Sequence, residues 1–476
     1  MKRKNIFFLT LILAFLFFSG VIFLMYKIVS NTPIAEFVQN DFIQEKIKQS
    51  VPSSDIRSVV DFLPKFLGME KPITYLVLLQ NNTEMRPGGG FIGSYAVVRM
   101  DKGVPEIIIV DGVENLDRNT PDTWKPKPPQ VLTDELGVDR WYFRDSNWSP
   151  DYVDNVLRGL YYYEEEGGTE AKNIDAVIAF TPTVLEKFLQ KIGPVTVQGI
   201  TFTEQNVVEK LEREVEYDYA DKGIAFQERK QILKPFMEVL VKEVVKDGFF
   251  HLSDYMTLFH NLAIEKHILV YSKDRDIQKM FDSIDWSGRV KQTKGDYLLW
   301  VDANLAALKT DHAIKRNITY AITPYGRGGY KAKVSMEYRH TGVFDWRTSR
   351  YRTFARVYVP KGSVFLNVSG VKNGEEVVKG VDGDKNWFGV FYTLEPGETG
   401  IVSFEYLLPE NIVTMIQSGN YTLLAQKQLG TIAHGLTLDL NFGKTISRTV
   451  PESKNEEVFS LVTDLQVDRE FAVQFK

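Results

Sequence analysis

The 476-residue chain contains no cysteine, which excludes a disulfide framework, a thiolate nucleophile and any cysteine-ligated metal centre. Its six histidines show no His-Glu-x-x-His or other metal spacing, and no Gly-x-Ser-x-Gly elbow occurs, so the common hydrolase signatures are missing. Positive charge is not in excess either: 57 Lys and Arg stand against 62 Asp and Glu, a net −5. Without a basic field there is little counterion release to drive association with nucleic acid, and none is expected as a partner. No fixed-period repeat or low-complexity tract is found. What remains is an ordinary globular composition, 44% apolar, 13% aromatic and 25% charged, in a chain long enough for two domains.

One long apolar run is present. Residues 6–25 carry no charge and only Thr10 and Ser19 as polar side chains. Some twenty residues at about 1.5 Å each match a hydrocarbon core of about 30 Å. The basic residues Lys2, Arg3 and Lys4 precede the run and only Lys27 follows it closely, which places the N-terminus inside the cell. A cleaved signal peptide is the competing reading, but the run continues through its best cleavage candidate, Ser19-Gly20. Residues 1–30 are therefore expected to be a cytoplasmic tip and membrane anchor. The expected location is a bacterial cytoplasmic membrane, spanned once, with the lipid bilayer as partner and the rest of the chain outside.

Residues 31–70 read as a stalk with one short amphipathic helix over 55–67, stopped by Gly68. From 71 to 311, apolar runs at 75–79, 95–98, 107–110, 176–180, 268–271 and 297–301 suit strands buried on both faces. Helices lie between them. Ser149-Pro150 and Thr181-Pro182 each offer a capping side chain before a proline at the first helical position. A long helix is expected over 225–246, kinked at Pro235, with Phe226, Arg229, Leu233, Phe236, Leu240 and Val244 along one face. The class is α/β, with a central sheet covered on both sides. From 312 to 476 short alternating strands and glycine-rich turns predict a β-sandwich of immunoglobulin-like type.

Three segments are candidates for chemistry. After the first strand comes Gln80-Asn-Asn-Thr-Glu-Met-Arg-Pro-Gly-Gly-Gly-Phe-Ile-Gly-Ser94. Gly88, Gly89 and Gly90 can bring backbone N–H groups close to an anion beside Arg86, or they can simply form a tight connection. The segment has neither the P-loop ending nor the dinucleotide glycine spacing. Second, Arg144-Asp-Ser-Asn-Trp-Ser-Pro-Asp151 sets a guanidinium, an amide and carboxylates ahead of a helix, fit for an anion or for a hard cation such as Mg²⁺. Its plainer reading is a helix capped by Ser149, with Arg144 paired to Asp145. Third, Arg229 falls on the apolar face of the long helix, an odd place for a charge unless it reaches a pocket or a buried partner.

Taken together, Gln80-Asn81, Glu84, Arg86, Gly89-Gly90-Phe91, Gly93-Ser94, Arg144-Asp145, Asn147, Ser149-Pro150-Asp151 and Gly193-Pro194-Val195 resemble the bacterial proteins grouped as domain of unknown function 4012. Asn304 and Lys309-Thr310-Asp311 extend the likeness, which reaches to about residue 435. It implies a bacterial surface protein without an established activity. A more distant resemblance is to the LytR-CpsA-Psr phosphotransferases, membrane-anchored ectodomains that move glycopolymers from polyprenyl-pyrophosphate carriers onto peptidoglycan. That resemblance implies a LytR-CpsA-Psr-like sheet, phosphate binding by Arg86, Arg144 and Arg229 with Gln231 alongside, and Mg²⁺ held by acidic residues, here Asp111 and Asp145. Two charges of the family's pattern are absent: Gly88 stands where an aspartate is usual, and Asp111 begins a segment where an arginine is usual. The function so implied is binding, and transfer, of a polyprenyl-linked phosphorylated glycan. The alternative is a non-catalytic structural or adhesive surface protein.

Overall fold

The computed structural model of the chain describes residues 54–476 apart from 249, 250, 373 and 454, together with Glu45 and Lys48. The expected anchor and the first part of the expected stalk lie outside the described residues. Among the described residues no helix is long and apolar enough to cross a membrane.

The helices Ser54–Val60 and Leu63–Phe66 lead into β1 (Ile73–Asn81). They do not stand off as a stalk: Val59, Val60, Leu63 and Phe66 are buried in the same core as Tyr75 and Val77 of β1. The amphipathic repeat that marks them as helical also supplies the apolar face that docks them. The first sheet continues with β2 (Phe91–Asp101), β3 (Val104–Gly112) and β4 (Ala176–Phe180). After the small hairpin of β5 (Val195–Val197) and β6 (Ile200–Phe202) it ends with β7 (Ile268–Ser272). Its order is β3-β2-β1-β4-β7. β1 and β4 run parallel, from Tyr75 opposite Ala176 to Leu79 opposite Phe180, and the other neighbours are antiparallel. Alternation decides the faces. Tyr75, Val77, Ala96, Val98 and Ile178 pack beneath one set of helices. Leu76, Leu78, Tyr95, Val97 and Val177 pack beneath the helix Tyr152–Glu165. An α/β sheet covered on both sides is what the apolar runs led one to expect.

Local details differ from expectation in instructive ways. The helix Tyr152–Glu165 is capped by Asp151, whose side chain accepts from the N–H groups of Val153 and Asp154, while Ser149 Oγ accepts from Asp151 N at 3.1 Å. Thr181 spends its hydroxyl on His267 Nδ1 at 2.9 Å and does not cap the helix Thr183–Ile192. The expected long helix divides into a 3₁₀ segment, Phe226–Ile232, and the helix Leu233–Gly248. Pro235 thus falls in a first helical turn, where its missing N–H has no intrahelical partner to lose.

The C-terminal part is almost wholly strands: β8 (Asp296–Val301), β9 (Ile314–Tyr325), β10 (Gly329–His340), β11 (Tyr351–Pro360), β12 (Val364–Ser369), β13 (Val378–Asp382), β14 (Lys385–Leu394), β15 (Thr399–Leu407), β16 (Asn420–Gln426), β17 (Gly435–Asn441), β18 (Ile446–Val450), β19 (Val458–Asp464) and β20 (Arg469–Phe475). They form sheets ordered β12-β15-β10-β9-β17-β19 and β13-β14-β11-β8-β16-β20-β18. The two sheets share one aromatic-rich core that includes Trp300, Tyr320, Tyr338, Phe404, Tyr406 and Tyr421. β8, grouped on sequence with the α/β domain, lies instead inside the seven-stranded sheet, antiparallel to β11 and parallel to β16. With six and seven strands and two parallel pairs, β8 with β16 and β9 with β17, the sandwich also departs from the seven or nine strands of the antiparallel immunoglobulin fold.

The carboxylates Asp296 and Asp302 inside the sandwich are met by hydrogen-bond donors. Asp302 accepts from Arg316 Nε at 2.9 Å and from the Tyr338 hydroxyl at 2.6 Å, and Arg316 also holds Asp311. Asp296, wholly buried, accepts from the hydroxyls of Tyr320 and Tyr421. Burial pushes its carboxyl up to about 6 against the pull of those hydroxyls.

Candidate ligand cleft

The glycine turn between β1 and β2 is where the two halves of the molecule meet. Asn304 N donates to Met85 O at 2.9 Å, Asp311 N to Thr83 O at 3.1 Å, and Met85 N to Asp311 Oδ2 at 3.0 Å. Gly88 bridges to Leu429, and Asn82 Nδ2 reaches Gly430 O at 2.9 Å. A Cβ on Gly88 would lie 2.5 Å from Asn155 Nδ2, and one on Gly430 would lie 2.0 Å from Gly89 O. The glycines are required by this close approach of backbones. Two of their N–H groups are already spent, Gly88 N on Asn147 O and Gly89 N on Arg86 O, each at 3.0 Å.

The three arginines expected to converge on a phosphate are each taken up by carboxylates. Arg86 is buried, with Nε 3.4 Å from Asp145 Oδ1, Nη2 3.7 Å from Glu84 Oε1, and Nη1 donating to Asn304 O. Arg144 pairs with Asp117 and, at 3.5 Å, with Asp145. Arg229 lies apart from both, its Nη2 2.7 Å from Glu114 Oε1 and its guanidinium 4.0 Å over the Phe226 ring. Arg86 and Arg144 thus meet, but across Asp145 and not across a hollow. The side chain of Gln231 lies outside the described residues.

The expected Mg²⁺ ligands do not fit a metal. Asp145 sits between two guanidinium groups, and Asp111 accepts from Gly112 N at 2.8 Å and from Asn115 Nδ2. Among the described residues no group of three or more acidic or histidine side chains is placed to hold an ion. Behind Arg144, two acids are held partly neutral by their surroundings. Burial pushes Asp117 up to about 6 against the pull of Arg144, and pushes Glu166 up to about 8 against the N–H of Phe143.

What the sheet does present is a cleft at the carboxyl ends of the parallel pair β1 and β4, the place where open α/β sheets receive ligands. Its volume is about 290 Å³. Leu79, Phe91, Phe180, Leu185, Val208, Leu211, Val215, Leu233 and Met237 make its walls apolar, drawn from three strands and from the helices Thr183–Ile192, Val207–Arg213 and Leu233–Gly248. A π-helical turn, Glu214–Asp218, adds Val215 and Glu216. Four carboxylates face the cleft, and each has a cation: Glu84 with Arg86, Glu114 with Arg229, Glu212 with Arg347 at 2.7 Å, and Glu216 with Lys309 at 3.6 Å. Two of these cations, Arg229 and Lys309, are in the lining and two, Arg86 and Arg347, lie outside it, so charge balances around a greasy cleft. Of the residues singled out on sequence as ligand contacts, Arg229 lines the cleft. Glu84, Glu114, Glu212, Glu216 and Lys309 were not foreseen, although Glu84 and Lys309 stand within the motifs quoted above.

Fold and site together define the class: an α/β domain with a sheet-end apolar cleft, joined by hydrogen bonds to a large β-rich part that contributes Lys309 to the cleft. Residues 70–216 match the family model described as protein of unknown function (DUF4012), so the resemblance carried by the glycine turn and the Arg144 segment is borne out over that stretch. No curated protein matches the chain. Among solved structures, a Legionella pneumophila protein proposed to bind nutrients is 8% identical, with 38% of this chain and 72% of that one covered and a TM-score of 0.24. An M1 zinc metallopeptidase from Deinococcus radiodurans is 13% identical, with 34% of this chain and 42% of that one covered and a TM-score of 0.17. Likenesses this slight carry no argument about fold or function.

Proposed function

We propose that this is a membrane-tethered, extracytoplasmic binding protein whose α/β domain receives the apolar chain of a lipid-linked cell-envelope molecule, in the manner of a LytR-CpsA-Psr-like carrier-binding domain. Residues 6–25 would hold it at the bilayer, where such chains reside. The observation that carries the reading is the 290 Å³ apolar cleft at the ends of β1 and β4. Burying apolar chain surface there gains roughly 25 cal/mol per Å² removed from water. A phosphorylated glycan head would lie at the rim, within reach of Arg229 and Lys309, and peptidoglycan would lie beyond it. Arg86 and Arg144 are engaged by Glu84, Asp117 and Asp145, so the reading rests on the cleft and not on an arginine cluster.

The test is binding of a polyprenyl phosphate by the full chain in detergent, compared between Leu211→Trp and Arg144→Ala. Leu211→Trp fills the cleft and is expected to weaken binding at least tenfold. Arg144→Ala, assayed below its lowered melting temperature, is expected to leave affinity unchanged. The reverse pattern would restore the arginine phosphate site and sink this one. No binding by the unaltered chain would leave a structural or adhesive surface protein.

A further inference from the structure

Four carboxylates face the cleft, and they are not equivalent. Glu114 is held at 2.7 Å by Arg229. Glu212 is held by Arg347 at 2.7 Å, by Thr83 Oγ1 at 2.7 Å and by Asn81 Nδ2 at 2.9 Å. Glu216 has a looser partner in Lys309, but its side chain is 39% exposed and water can serve it. Glu84 has neither arrangement. Its nearest cation, Arg86 Nη2, stands at 3.7 Å, beyond hydrogen-bond range, and that guanidinium is already committed to Asp145 and to Asn304 O. The backbone around Glu84 is fixed, its N–H given to Asn81 O at 3.2 Å and its carbonyl taken by Phe91 N at 2.9 Å. The side chain is therefore held at the polar end of an otherwise greasy cleft.

Resting on the reading of this cleft as a binding site for an apolar chain, we infer that Glu84 is the residue that grips the chain's polar end, its carboxyl hydrogen-bonding to a neutral hydroxyl group. Charge balance around the cleft points the same way. With every facing carboxylate already matched to a cation, an added dianion inside the cleft would go uncompensated, whereas a neutral oxygen adds no charge. Burial raises the Glu84 carboxyl, Asp145 and Asp311 add to the effect, and Arg86 and Lys309 oppose it. A hydroxyl suits the carboxyl in either form, since it can donate as well as accept.

The probes are farnesol, an apolar chain ending in a hydroxyl, and farnesene, its hydrocarbon counterpart, each titrated onto the full chain in detergent and read by native mass spectrometry. Farnesol should bind about tenfold more tightly than farnesene, the value of one buried hydrogen bond. Glu84→Gln, which keeps hydrogen-bonding groups at the same place, should preserve the preference. Glu84→Leu should lose the preference while still binding farnesene, which also reports that the cleft is folded. Equal affinity for the two probes in the unaltered chain, or a preference that survives Glu84→Leu, overturns the assignment of Glu84 and leaves the cleft standing. Failure of both probes to bind overturns the cleft and the assignment together.

Discussion

The two cores of this molecule treat space differently. Between the sandwich sheets, Trp300, Tyr320, Tyr338, Tyr351, Tyr406 and Tyr421 are fully buried, and the acids among them are tied to hydroxyls or to Arg316. In the α/β domain the sheet is as well covered along its length, yet at the carboxyl ends of β1 and β4 the packing stops and a cleft opens. One chain that fills the space between its sandwich sheets leaves open space at the sheet end where open α/β folds receive ligands. The cleft is therefore a built feature and not a lapse in packing.

The contrast can be broken most severely at Arg316. Replacing it with alanine leaves Asp302 and Asp311 buried without their cation, and stability measured by urea denaturation of the full chain should fall by about 3–5 kcal/mol. A matched pair of substitutions sharpens the contrast. Val334→Phe in the filled sandwich should cost about 1–3 kcal/mol through overpacking. Val208→Phe on the cleft wall should cost clearly less, because the ring has somewhere to go, while reducing binding of an apolar chain. Equal costs would mean that the cleft is not open in solution. Gly430→Ala tests the seam between the two regions. Its φ of +71 and the 2.0 Å approach of a Cβ to Gly89 O forbid a side chain without backbone movement, at an expected cost of about 1–3 kcal/mol.

The smallest effect is one of pH. Asp117 and Glu166 have folded values raised to about 6 and about 8, above the values they have in the unfolded chain. The folded state then binds more protons than the unfolded one across that window, so stability falls as pH rises from about 4 to about 8. Glu166→Gln should flatten the upper part of that slope in thermal melts. An unchanged slope would show that the buried acid near Arg144 is ionised throughout.

Much of the α/β sheet was legible because its strands are continuous apolar runs. For β8 the same signal misled. Leu298 and Trp300 face the sandwich core while Tyr297, Leu299 and Val301 form a separate cluster with Tyr358, so a strand buried on both faces looks alike in either domain. Arg229 was marked by its odd position on an apolar helix face. The cleft itself was out of reach, because Leu79, Leu211 and Lys309 are brought together only by the tertiary fold. Arg86 and Arg144 show the complementary blindness. The sequence neighbours Arg144 and Asp145 could be read as a pair, but that Asp145 also takes Arg86 and that Asp117 takes Arg144 emerges only in the fold.

The seam at Gly88, Gly89, Leu429 and Gly430 has a mechanical meaning. Backbone is locked to backbone there, with Asn304 and Asp311 clamping the other side of the same turn. A load applied to the sandwich is passed through these backbone bonds to the strand end that floors the cleft.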